Sequence, residues 1–142
     1  MAEQALATAS DDTAPAPERK LLIVEERRAY CQPCLSPVWD TALAALALQE
    51  EGSEASLQAA ARGLEWLRPL QLDTHPGDWR VRRPQLPGGG WAFQYRNDYY
   101  PDLDDTAVVV WSMQNDRQAE GAQAAIVRAL DWLVGMQSRG GG

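Results

Sequence analysis

Apolar residues recur at helical spacing along most of the chain after residue 20. Leu21 to Tyr30 places Leu21, Leu22 and Val24 on one side of a short predicted helix. Pro37 to Gln49 predicts a second helix, with Trp39, Leu43, Leu46 and Ala47 near one face. Gly52 and Ser53 interrupt it, and a third covers Ala55 to Leu67, stopping before Pro69. A fourth is expected to begin near Asp104. A fifth runs from about Glu120 to Met136 and carries Ile126, Val127, Leu130, Leu133 and Val134. Leu70 to Pro101 lacks this period and is rich in Pro, Gly and aromatics. A loop of that length is expected to line a site or to pack through its own side chains.

Val108, Val109 and Val110 alone would favour a strand, but an internal repeat favours helix. Asp40-Thr41-Ala42 returns as Asp105-Thr106-Ala107, and Arg62, Trp66-Leu67 and Gln71 return as Arg128, Trp132-Leu133 and Gln137. Each unit is a helical hairpin followed by a turn. Such hairpins bury their apolar faces against neighbouring copies, so two units leave outer faces uncovered. The sequence therefore reads as a stretch of a longer array. The expected fold is all-α, with residues 1–20 a disordered tail rich in Ala, Ser, Thr, Asp and Pro. Residues 21–142 form the helical domain.

Composition narrows the function. A length of 142 residues suits one domain, and a net charge of −7 argues against a nucleic-acid partner. No run of 18 apolar residues marks a spanning helix, and the N-terminus lacks a basic start followed by an apolar core. A cytoplasmic chain is the expectation. Cys31-Gln32-Pro33-Cys34 has redox-dithiol spacing without the surrounding βαβ pattern, and a zinc site needs further ligands. Gly88-Gly89-Gly90 lacks the Lys-Ser/Thr ending of a phosphate loop. Arg80, Arg82 and Arg83 read as a solvated face. Trp66, Trp79 and Trp132 read as packing residues.

The candidate chemistry lies in Tyr99-Tyr100-Pro101-Asp102-Leu103-Asp104-Asp105-Thr106, where three carboxylates fall within four residues just before an apolar segment. The plain interpretation is a helix cap, since acids meet the free N–H groups and the favourable end of the helix dipole. The alternative is chemical. Like charges crowded at the edge of a dry space hold one carboxyl protonated. Trp91, Phe93, Tyr95, Tyr99, Tyr100 and Trp111 surround the cluster in sequence.

Ser36-Pro37-Val38-Trp39-Asp40-Thr41, Gly89-Gly90-Trp91-Ala92-Phe93-Gln94 and the acidic run, in this order and spacing, resemble the squalene–hopene cyclase family of class II triterpene cyclases. Trp66 to Trp79 and Trp132 to Gly141 resemble its glutamine–tryptophan repeat. The resemblance implies an α/α barrel, of which this chain forms part, associated with one face of a membrane. It implies squalene or a related polyprene as substrate, with Asp104 as proton donor, Asp102 and Asp105 as its partners, and Trp39 and Phe93 lining the cavity. It implies no metal or organic cofactor. The remainder of a cyclase, or another chain, would complete the barrel. A catalytically inactive helical piece acting through protein or lipid association is the alternative.

Overall fold

The computed structural model describes residues 22–31, 34–74, 77–95, 97–116 and 121–141. The predicted tail at 1–20 lies outside them. The chain divides into two compact units, one reaching Leu35 and one beginning at Ser36.

The first unit corrects the predicted helix. Leu22–Glu25 (β1) and Arg28–Cys31 (β2) pair antiparallel across a two-residue turn, with Leu22 opposite Cys31 and Glu25 opposite Arg28. Ile23, Val24 and Tyr30 are β-branched or aromatic and favour the pleated conformation. Arg28 Nη2 donates to Glu25 Oε1 at 3.1 Å and closes the hairpin beside its turn. Helical spacing in so short a run cannot be told from a strand by periodicity alone.

The second unit is mostly helical, as the repeat predicts. α1 (Pro37–Glu51) and α2 (Glu54–Leu67) form one hairpin. α4 (Leu103–Asn115) and α5 (Ala122–Met136) form the other. Between the hairpins lie a 3₁₀ turn (Arg68–Leu70), a four-residue helix α3 (Trp79–Arg82), and strands β3 (Trp91–Ala92) and β4 (Pro101–Asp102). α1 packs on both α2 and α4, and α4 packs on α5. Among the described residues no closed barrel is present.

Local signals explain the helix ends. Pro37 occupies the first turn of α1, where its missing N–H is no loss. Gly52 ends α1 at φ +77°, and its N–H reaches Leu48 O at 3.2 Å. Ser53 caps α2 by accepting from Ser56 N at 3.3 Å.

The buried face of α1 differs from the expected one. Val38, Ala42 and Ala45 are buried, Trp39 and Leu46 are half-buried, and Leu43 is exposed. Small side chains let α2 and α4 approach closely, which large ones would prevent. Gly63 of α2 would place a Cβ only 3.2 Å from Thr41 Cγ2. On α5 Ala122, Ala125, Ile126, Ala129 and Trp132 are buried, while Val127, Leu130 and Val134 are exposed.

The long connection packs through both its backbone and its own side chains. Gly90 bridges Leu72, whose N–H donates to Gly90 O at 2.8 Å. Gln71 Nε2 donates to Gly89 O and to Ala125 O, each at 2.8 Å, and Gln71 Oε1 accepts from Arg128 Nη2 at 2.6 Å. One side chain thus ties the glycine strand to α5. A Cβ on Gly89 would stand 2.3 Å from the Arg128 carbonyl oxygen, a backbone atom that cannot step aside. Gly89→Ala is therefore expected to cost about 1–3 kcal/mol by forcing α5 outward. Urea unfolding checks this, and an unchanged midpoint would show that the strand has room to shift.

Arg83 departs from the predicted solvated face. Its Nε donates to Gly135 O and its Nη2 to Gln137 O, both at 2.8 Å, satisfying carbonyls at the end of α5. Trp79 and Trp132 are buried edge-to-face with centroids 6.0 Å apart, which fits their packing role; Trp66 remains partly exposed.

Candidate active site

The acid cluster forms where β4 runs directly into α4. Asp102 is the last residue of β4 and the N-cap of α4. Its extended backbone lets Oδ1 accept from Asp104 N at 2.8 Å and Asp105 N at 3.3 Å. The helix-cap interpretation is thus correct for Asp102, which satisfies two of the free N–H groups of the first turn.

The other two acids separate. Asp104 is exposed, whereas Asp105 is 2% exposed, and its Oδ1 has no hydrogen-bond partner. Burial pushes the Asp105 carboxyl up to about 6, with the charge of Asp102, a hydrogen bond to Asp102 and the charge of Asp104 acting in the same direction. The sheltered member of the trio is Asp105.

That shift has a signed consequence for stability. The unfolded chain releases this proton near the ordinary value of 3.8, while the folded chain holds it to about 6. Between those values the folded state binds more protons, so this contribution is full below the window and lost as pH rises through it. Urea midpoints measured across this range are expected to decline through the window. Asp105→Asn should remove that component of the slope; an identical slope in the variant would assign the dependence elsewhere.

Of the three acids only Asp105 is enclosed; Asp102 and Asp104 are exposed. Trp39 and Phe93 are both half-buried. Their sequence neighbours Val38, Ala92 and Gln94 share a cleft of about 210 Å³ with Leu70, Gln71 and Asp98, and none of the three acids lines it. Tyr99, Tyr100 and Trp111 are exposed, and Trp91 is wholly buried. Among the described residues no group of three or more His, Cys, Asp or Glu side chains is arranged to hold a metal ion.

Sequence reasoning missed the support beneath the cluster. Trp91 pairs with Asp102 across β3 and β4, and its indole Nε1 donates to Leu67 O at 2.7 Å. Gly90 lies so close to Thr106 that a Cβ there would be 3.0 Å from Oγ1. The available signal was three consecutive glycines before a tryptophan, which marks close backbone approach beside a large buried ring.

The tandem helical hairpins are consistent with part of an α/α-barrel terpenoid cyclase fold. Residues 35–142 match the squalene-hopene cyclase C-terminal domain, and the chain belongs to the squalene–hopene cyclase family. It is 53% identical over 126 residues to a probable squalene–hopene cyclase of Sinorhizobium fredii, covering 87% of this chain and 20% of that protein. It is 55% identical over 126 residues to the squalene–hopene cyclase of Bradyrhizobium diazoefficiens, covering 87% and 19%. To the squalene-hopene cyclase of Schizosaccharomyces japonicus it is 46% identical over 129 residues, covering 86% and 20%. The chain thus spans about a fifth of the length of these curated relatives.

Proposed function

We propose that this segment supplies the initiating acid of an enzyme that cyclises squalene, or a related polyprene, to hopene-type triterpenes. The observation that carries the proposal is the acid trio at the start of α4, where the Asp102 carboxylate accepts from the backbone amides of exposed Asp104 and buried Asp105. The names of the relatives supply the substrate class.

An isolated alkene is a weak base, so its protonation needs an undissociated acid and no competing water. The Asp104 O–H would transfer its proton to a terminal alkene carbon. The alkene's π pair forms the new C–H bond, and the proton's former bonding pair remains on the Asp104 carboxylate. A tertiary carbocation results. Asp102 and Asp105 would hold the acidic form and share the residual charge. The faces of Trp39 and Phe93 would stabilise cationic carbon by about 0.5–2 kcal/mol per favourable contact. No metal or organic cofactor takes part in this step.

The enclosure would come from the rest of an α/α barrel, supplied by a longer polypeptide or another chain. Trp111 at 58% exposure and Val134 at 73% are apolar surface available for such cover. Among the described residues no helix is long and apolar enough to cross a membrane. A cytoplasmic location with peripheral contact at the membrane face accords with an insoluble substrate.

The second reading is a catalytically inactive helical piece acting through protein or lipid association. The exposure of Asp104 and of Trp111 favours it, since neither is sheltered here. The deciding experiment incubates a complete, folded polypeptide carrying this segment with squalene in detergent and analyses products by mass spectrometry. A cyclic triterpene is expected, and recovery of squalene alone would reject the catalytic reading.

A further inference from the structure

The support beneath the acids contains a buried hydroxyl that the proposed proton transfer does not use. Thr106 is wholly buried in the first turns of α4. A buried hydroxyl must find partners, and this one has two from different parts of the chain. Thr106 Oγ1 accepts from the Trp91 backbone N–H at 2.9 Å and donates to the Asp102 backbone carbonyl. Trp91 and Asp102 are also the paired residues of β3 and β4. Trp91 is itself held at its other end, through its indole, by the Leu67 carbonyl at the close of α2.

The geometry points to Thr106 as a positioning residue: its hydroxyl latches Trp91 to Asp102 and so fixes Asp102 as the cap over the Asp104 and Asp105 amides. Without the hydroxyl, β4 would keep its short pairing with β3. The Trp91 N–H would then lose its acceptor, and the Asp102 carbonyl would lose the bond from the Thr106 hydroxyl. The Asp102 carboxylate would no longer be held on both amides. The repeat supplies an internal contrast. Thr41, the equivalent residue in α1, is only half-buried, and Asp40 beside it is exposed and accepts from Ser36 Oγ instead. The tripeptide alone therefore does not create the latch; the Gly90–Trp91 strand passing over Thr106 does. Catalytic relevance, as distinct from the latch, rests on the acid-cluster reading above.

The test uses this 142-residue chain and compares Thr106→Val, which keeps the shape without the hydroxyl, with Thr106→Ser, which keeps the hydroxyl. Amide exchange of Asp104 and Asp105 is followed by NMR, with circular dichroism as the folding control. Thr106→Val should quicken exchange at both amides about fivefold, the scale of a lost helix cap. Thr106→Ser should restore protection. Unchanged exchange in a folded Thr106→Val chain, or failure of Ser to rescue, would overturn the latch. Should the Val variant fail to fold, the unsubstituted chain still decides. A Thr106 hydroxyl proton slow to exchange and a protected Trp91 amide support the latch, and rapid exchange of both overturns it. In a complete cyclase, Thr106→Val should lower kcat more than it changes KM. Lost amide protection with unchanged kcat would count against the catalytic reading while leaving the latch standing.

Discussion

Replacing Asp104 with Asn in a complete cyclase polypeptide carrying this segment is expected to lower product formation by at least about a hundredfold. An amide of the same shape has no acidic proton to place on an alkene. The substitution should leave folding almost untouched, because Asp104 is exposed and its side chain bridges nothing among the described residues. A change within about 0.5 kcal/mol is typical of such positions. Asp105→Asn provides the necessary comparison. It removes the buried carboxyl that is pushed up to about 6 but preserves the volume beneath the cap. The expected order is near-complete loss for Asp104→Asn and a smaller loss for Asp105→Asn, measured as cyclic product per enzyme under identical detergent conditions. The reverse order would transfer the donor role to Asp105. That outcome has a physical basis, since Asp105 is the acid kept out of water in this structure.

The second large effect concerns the ring on which the site rests. Trp91→Ala is expected to destabilise the chain by about 3–5 kcal/mol, the range for truncating a fully buried large aromatic residue. Trp91 is 0% exposed, and its loss would also leave the Leu67 carbonyl without the indole donor. Domains of this kind are stable by only about 5–15 kcal/mol, so much of the folded state is at stake. Trp91→Phe should recover part of the loss by filling most of the volume, but not the part due to the unpaired carbonyl. Urea unfolding followed by circular dichroism measures both variants. An unsubstituted-like midpoint for Trp91→Ala would show that neither the cavity nor the carbonyl matters, and Trp91 could not then be the support under β4.

Much of this organisation was legible before any coordinates. The helices of both hairpins were visible because apolar residues recur at their period and Pro37, Gly52 and Pro69 punctuate them. The repeat overrode the strand preference of Val108–Val110, and α4 runs through all three. The helix expected over Leu21 to Tyr30 gives way to a hairpin over Leu22–Cys31, because a few apolar residues fit two periods and β-branching decides for the strands. The buried face of α1 differs from the expected one for another reason. Hydrophobicity ranks Leu above Ala, but close helix packing selects small residues such as Ala42, Ala45, Ala125 and Ala129. On α1 Leu43 is consequently left exposed. Arg83 read as solvated because nothing local reveals that its guanidinium meets the carbonyls of Gly135 and Gln137 more than fifty residues away.

The helical hairpins, the family and the three acids at a helix start follow from period, repeat and capping, which are properties of the chain read locally. Tertiary structure alone decided which acid is sheltered. Asp40-Thr41-Ala42 and Asp105-Thr106-Ala107 are the same three residues, yet Asp40 is exposed and Asp105 buried. Burial depends on what passes overhead, and only the second copy has a glycine strand and Trp91 laid across it.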